Sequence, residues 1–176
     1  GHAKSDWLDD ARALELELRG SRRGATAGDD DEELKLYALN ALMNTDSERA
    51  VETLEKFLRG NHSVRLLEQA LFVLSQSDTP RARQILAEIA QGKSASAGPE
   101  LRTKAIQMLG VAGDDDSVLL LAEIYALAKD ADTKSAVLGA FLVCGEEDRV
   151  LAAARGEADA SLRSKAIQIL GAMGAV

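Results

Sequence analysis

Aromatic side chains are scarce in this sequence: one Trp, two Tyr and three Phe, 3% of the residues. Any core must therefore be built from Leu, Ala, Ile and Val, a composition that favours helix over a β-sandwich. Proline occurs twice, so little in the chain interrupts a helix. A single cysteine, Cys144, excludes an internal disulfide and leaves the redox compartment open. No apolar run approaches the ~20 residues of a membrane span. Positive charge is in deficit. The net charge of −8 weighs against nucleic acid, whose affinity rests on neutralised phosphates, and against an anionic membrane surface. What remains is a chain of 176 residues, 46% apolar, long enough to bury a core.

That apolar content is written five times over. The stretches Glu33–Asp46, Arg65–Asp78, Glu100–Gly113, Asp132–Gly145 and Ser161–Gly174 carry one pattern at steps of 29–35 residues. A period of this length means a stacked array. The first column is Leu34, Leu66, Leu101, Thr133 and Leu162. Four residues on comes a small or branched column: Ala38, Ala70, Ala105, Val137 and Ala166. Leu39, Leu71, Ile106, Leu138 and Ile167 follow, then Ala41, Val73, Met108, Ala140 and Ile169, then Leu42, Leu74, Leu109, Phe141 and Leu170. Offsets of 0, 4, 5, 7 and 8 mark one face of an α-helix, here helix A of each unit. The alanine column lets neighbouring helices approach, and the leucine column supplies the burial.

Each helix A ends at one register in Asp46, Asp78, Gly113, Gly145 or Gly174. Glycine there suits a left-handed C-cap, and aspartate the N-cap of the next helix. After the first four turns a second helix, B, is predicted over about 47–59, 80–91, 115–129 and 147–155. Acidic runs at 29–33, 114–116 and 146–148 sit at helix starts, where they complement the positive end of the helix dipole.

The lines "ELRTKAIQMLGVAGDDD" and "SLRSKAIQILGAMGA" resemble HEAT repeats, most closely the short bacterial HEAT-like kind of roughly 30 residues. The resemblance spans about 31–176. It implies an all-α fold, a right-handed α-α superhelix of antiparallel helix pairs in which each unit touches only its neighbours. Ahead of the array, "KSDWLDDARALELELRG" reads as one amphipathic helix with Trp7, Leu8, Ala11, Leu14 and Leu18 on one side. It resembles the second half of a tetratricopeptide-like unit of bacterial envelope proteins, which implies a periplasmic or envelope setting and a role as N-terminal cap. The expected layout is thus a helix in 1–19, a linker in 20–30, "GSRRGATAG" at its heart, and an array in 31–176. Gly1-His2 with no initiator Met reads as a vector scar. With no helix B after the fifth unit, this predicts a piece of a longer protein whose array continues.

Reaction chemistry is hard to assemble. His2 belongs to the scar and His62 to an inter-helix turn, and neither has a partner at metal-ligand spacing. "GDDDS" lacks the alternating ligands and closing glutamate of a calcium loop, so helix capping is expected there. "GKSASAGP" has neither the upstream glycine nor the strand of a phosphate loop. Cys144 shares its slot with Ala112 and Met173, as a small buried thiol would. No Ser-His-acid set exists. We therefore expect no enzyme, no cofactor and no metal.

The expected function is a protein or peptide interaction scaffold. In HEAT-like arrays the B helices usually line the concave surface. Opposite the apolar face of helix B, one column reads Arg49, Arg81, Asp116 and Asp148. The next reads Glu52, Gln84, Leu119 and Leu151, and the third Lys56, Glu88, Glu123 and Arg155. The first two units present charge and amide, and the last two present leucines beside acids. Candidate partner-binding residues are Arg49, Glu52, Lys56, Arg81, Gln84, Glu88, Leu119, Glu123 and Leu151, with Leu119 and Leu151 as an apolar anchor. Two other readings come from HEAT-like relatives. A bilin-attachment lyase or chaperone would need a nucleophile that Cys144 does not provide. A DNA glycosylase would need a basic, aromatic channel that this acidic chain lacks.

Overall fold

Apolar residues at helical spacing, bounded by glycine, aspartate and Thr-Pro signals, give the elements seen in the computed structural model. It describes residues 28–42, 48–94 and 97–174. Among the described residues there are nine helices and no strand: α1 (Gly28–Leu42), α2 (Glu48–Leu58), α3 (Val64–Ser75), α4 (Pro80–Ala90), α5 (Pro99–Ala112), α6 (Asp115–Leu127), α7 (Ala131–Cys144), α8 (Glu147–Gly156) and α9 (Ala160–Met173). The odd-numbered helices are the A helices and the even-numbered ones the B helices. The chain is an α-solenoid. The predicted helix in 1–19 and the turn at Asp46 lie outside the described residues. Helix α1 begins at Gly28, within the last residues of the expected 20–30 linker, and the rest of that linker lies outside the described residues.

The turns follow the sequence with one correction. Gly113, Gly145 and Gly174 take left-handed backbone with φ of 60°, 79° and 76° and close their helices as C-caps. Asp114 caps α6, its carboxylate accepting from the Ser117 amide at 2.8 Å. Asp78 does not cap α4. Thr79 does, accepting from the Ala82 amide at 3.2 Å, with Pro80 in the first helical position. Proline there fixes φ for the helix and lacks an amide that would go unpaired anyway, so the cap falls on the residue before it.

Successive A helices lie against one another along the array, and each B helix also touches the next A helix. Of the B helices, only α2 and α4 approach one another comparably. The core is one continuous stripe from Leu39 to Leu170. Each fully buried Leu or Ile in it contributes about 1.5–3 kcal/mol.

The five columns are not buried alike in every unit, and the exceptions give two of them a direction. Leu66, Leu101, Thr133 and Leu162 are buried, whereas Leu34 is 57% exposed. That column faces the preceding unit, which the first unit lacks among the described residues. Leu39, Leu71, Ile106 and Leu138 are buried, whereas Ile167 is 60% exposed. That column faces the following unit. Leu34 and Ile167 therefore correct the expectation of uniform burial.

Candidate functional site

The B-helix ridge is formed by the outer faces of α2, α4, α6 and α8. Arg49, Glu52, Lys56, Arg81, Gln84, Leu119 and Glu123 are exposed, and Glu88 and Leu151 are half-buried. The two leucines read as an anchor part company. Leu119 stands clear at 58% exposure, beside exposed Glu123 and Ala126, whereas Leu151 packs on the core. Half of the expected anchor is thus spent on internal packing. The helical wheel missed a second exposed leucine, Leu127, at the end of α6.

The first two units bring their B helices close enough to share a groove of about 280 Å³, lined by Glu55, Leu58, Arg59, Ile85, Glu88, Ile89, Lys93 and Ser94. Its floor is apolar and its rim carries both signs of charge. Glu55 organises the rim. Its carboxylate accepts from Arg81 Nε at 3.1 Å and Nη2 at 2.5 Å, and from Arg59 Nη2 at 2.5 Å. The Arg81 fork ties unit two to unit one with the paired geometry a guanidinium offers a carboxylate. Beside it the Gln84 amide donates to Glu88 at 2.9 Å. Of the ridge residues named from sequence, Glu88 lines this groove, and Arg81 and Gln84 bond to its lining residues Glu55 and Glu88. Glu52 and Lys56 lie on the outer surface of α2, away from its lining. Glu55, Arg59 and Lys93 were missed, because a helical wheel treats one helix at a time. The one available signal was the four-residue spacing of Glu55 and Arg59.

A second polar cluster joins units three and four. Tyr125 Oη and Lys134 Nζ both donate to Glu157 Oε2 at 2.8 Å, and the Lys134 ammonium lies 5.3 Å from the centre of the Tyr125 ring. The Glu157 side chain is only 8% exposed. Lys134 first, then Tyr125, hold its carboxyl down at about 2. Burial, reinforced by Glu157, pushes the Tyr125 phenol well above its usual value. A carboxylate held ionised and a phenol held protonated suit a structural tie, not proton transfer.

The remaining sequence candidates resolve in the same direction. Burial raises the Cys144 thiol above its usual value, and Sγ lies 3.8 Å from the Phe141 carbonyl, so the thiolate a nucleophile needs is disfavoured. His62 stacks on Phe57 with ring centres 3.8 Å apart, and burial lowers its pKa. Gly92 and Lys93 close α4, their amides donating to the Ile89 and Glu88 carbonyls, so Gly-Lys-Ser is a helix end. Basic residues one position after the first column do related work. Arg102 Nε donates to the Ala90 carbonyl at 3.0 Å, and Arg163 Nη1 to the Glu157 and Ala158 carbonyls at 2.7 and 2.8 Å. Each holds the end of the B helix before it. Among the described residues no His, Cys, Asp and Glu cluster could hold a metal ion, and no helix is long and apolar enough to cross a membrane.

Residues 23–97 match the family model for HEAT repeats. Over this stretch the chain is built of HEAT repeats. The match covers the first two units, which hold the α2–α4 groove, and the same columns run on through α9 in the later units. No curated protein matches the chain. HEAT repeats generally mediate protein–protein interaction and are typically non-catalytic, which agrees with a site made of groove and ridge.

Proposed function

We propose that this HEAT array is a non-enzymatic scaffold that holds a protein or peptide partner on its B-helix surface. The partner is seated at the α2–α4 groove and extends toward Leu119. The observation that carries this reading is the groove itself. Leu58, Ile85 and Ile89 offer an apolar floor, and Glu55, Arg59, Glu88 and Lys93 offer a rim of mixed charge. That division into apolar centre and polar edge is what a protein interface needs. A partner side chain with an apolar stem and a charged tip fits it, since stem and tip meet floor and rim together. Arg49, Glu52 and Lys56 add exposed charge to one side of the groove, and Glu123 adds it beside Leu119.

The test is affinity capture with the wild type, with a Glu88→Lys plus Lys93→Glu variant, and with Leu119→Asp. All three should keep wild-type far-UV circular dichroism and melting temperature. The groove variant should lose a protein that the wild type retains, and Leu119→Asp should weaken its retention. Capture of the same protein by the groove variant at wild-type yield would overturn the proposal. Leu151→Asp is unsuitable here, because Leu151 packs on the core and the change should lower stability.

A further inference from the structure

The outer faces of the B helices reverse their charge part-way along the array. The first ridge column runs Arg49, Arg81, Asp116 and Asp148, all of them exposed. At the α2–α4 groove the balance is positive. The guanidinium groups of Arg59 and Arg81 share the single charge of Glu55, which leaves one positive charge in excess. Glu88 offsets it, and Lys93 restores it. The Lys93 side chain is exposed and has no ion-pair or hydrogen-bond partner among the described residues. A carboxylate reaching this rim would meet that free ammonium and the spare N–H groups of Arg59, whose side chain is 65% exposed.

One unit further on the balance is negative. Helix α6 carries Asp115, Asp116 and Glu123 and no basic residue. All three acids are exposed, and their side chains have no partner among the described residues. Asp116 lies one turn before Leu119 and Glu123 one turn after it. Leu119 and Leu127 are 58% and 79% exposed, two turns apart on the same broad side of the helix. Helix α8 continues the sign with exposed Glu147 and Asp148, and Arg155 opposes them at its far end. Exposed leucines flanked by uncompensated acids match an apolar anchor flanked by bases.

We propose that the partner segment held on this ridge is itself polarised in charge. An acidic stretch with an apolar anchor seats in the α2–α4 groove, and a basic stretch with an apolar anchor seats over Leu119 and Leu127. The ridge thereby fixes which half of the partner lies on which units. The reversed placement sets like charges against each other at both ends, and a segment of one sign throughout is matched at one end and repelled at the other. This polarity rests on the scaffold reading and adds the partner's chemistry to it.

Fluorescence anisotropy of the full chain with synthetic peptides of about 18 residues, each reaching up to ~60 Å when extended, provides the test. All carry leucine at the same positions. One has glutamates in its first half and lysines in its second, one has glutamate throughout, and one has lysine throughout. Wild type should bind the polarised peptide at least about tenfold more tightly than either uniform peptide, and added salt should weaken that binding. Lys93→Glu should weaken the polarised peptide about tenfold and gain affinity for the all-lysine one. Glu123→Lys should also weaken it and gain affinity for the all-glutamate one. These gains separate reversal of charge from damage to the fold. A photo-cross-linker in the glutamate half should mark α2 or α4, and one in the lysine half should mark α6. A uniform peptide that binds wild type as tightly as the polarised one, while Leu119→Asp still weakens it, would overturn the polarity and leave the scaffold reading standing. Cross-links at the opposite ends would do the same. Binding that none of these variants alters would overturn both. Absence of binding by every peptide would also overturn the polarity, whereas the scaffold reading falls only on the capture result above.

Discussion

Helices α5 and α9 read almost identically, "LRTKAIQMLG" and "LRSKAIQILG", yet they sit differently. In α5, Ile106 has no exposed surface and Gly110 is pressed against Ala140. In α9, Ile167 is 60% exposed and Gly171 has open space around it. The leucines turned toward the preceding unit, Leu101 and Leu162, are equally buried at 4%. One sequence line therefore has a half whose burial depends on what comes before and a half whose burial depends on what comes after. In a solenoid, burial belongs to the junction and not to the residue.

The largest expected effect contrasts the two isoleucines. Ile106→Ala should cost about 2–5 kcal/mol, because it leaves a cavity in a closed junction. Ile167→Ala should stay within about 0.5 kcal/mol in dilute solution. Chemical denaturation of both variants measures this, and equal losses would break the comparison. Next is the tie between units three and four. Glu157→Gln should cost about 1.5–3 kcal/mol at neutral pH, the range for hydrogen bonds to a charged group. The Glu157 carboxyl is lowered from 4.5 to about 2 in the folded state. Its stabilising contribution is complete above the unfolded value and disappears as pH falls toward about 2. The gap between wild type and variant, followed by denaturation across pH, should narrow over that window.

The glycines should sharpen the comparison through opposite signs. Gly110→Ala should destabilise by about 1–3 kcal/mol, because the added methyl collides with Ala140. Gly171→Ala should stabilise the fold by about 0.5–1 kcal/mol, because alanine restricts the unfolded chain more and favours helix. Thermal melts of the two variants should move in opposite directions. The smallest effect is on the ridge. Glu52→Ala should leave stability within about 0.5 kcal/mol, since Glu52 is exposed on the outer face of α2.

Much of the fold was legible because helical periodicity and glycine caps act over a few residues. The predicted B helices at 80–91 and 115–129 differ from α4 and α6 by at most two residues at either end. The cap at Thr79 was misread as Asp78, since both residue types cap well and only the placement of Pro80 separates them. The candidate site was legible in part. Periodicity put Gln84, Glu88 and Leu119 on the outer side of their helices, but it treats each helix alone. It could not show that Arg81 reaches across to Glu55, that Lys93 joins Glu88 at a groove, or that Leu151 turns into the core while Leu119 stays out.

The sequence by itself determined the helices, their caps and the columns each helix buries, because those depend on spacing along one chain segment. Only the tertiary structure decided which columns are covered, which charges pair across units and where a groove opens. Each of these is set by the distance between segments remote in sequence, which no local pattern encodes.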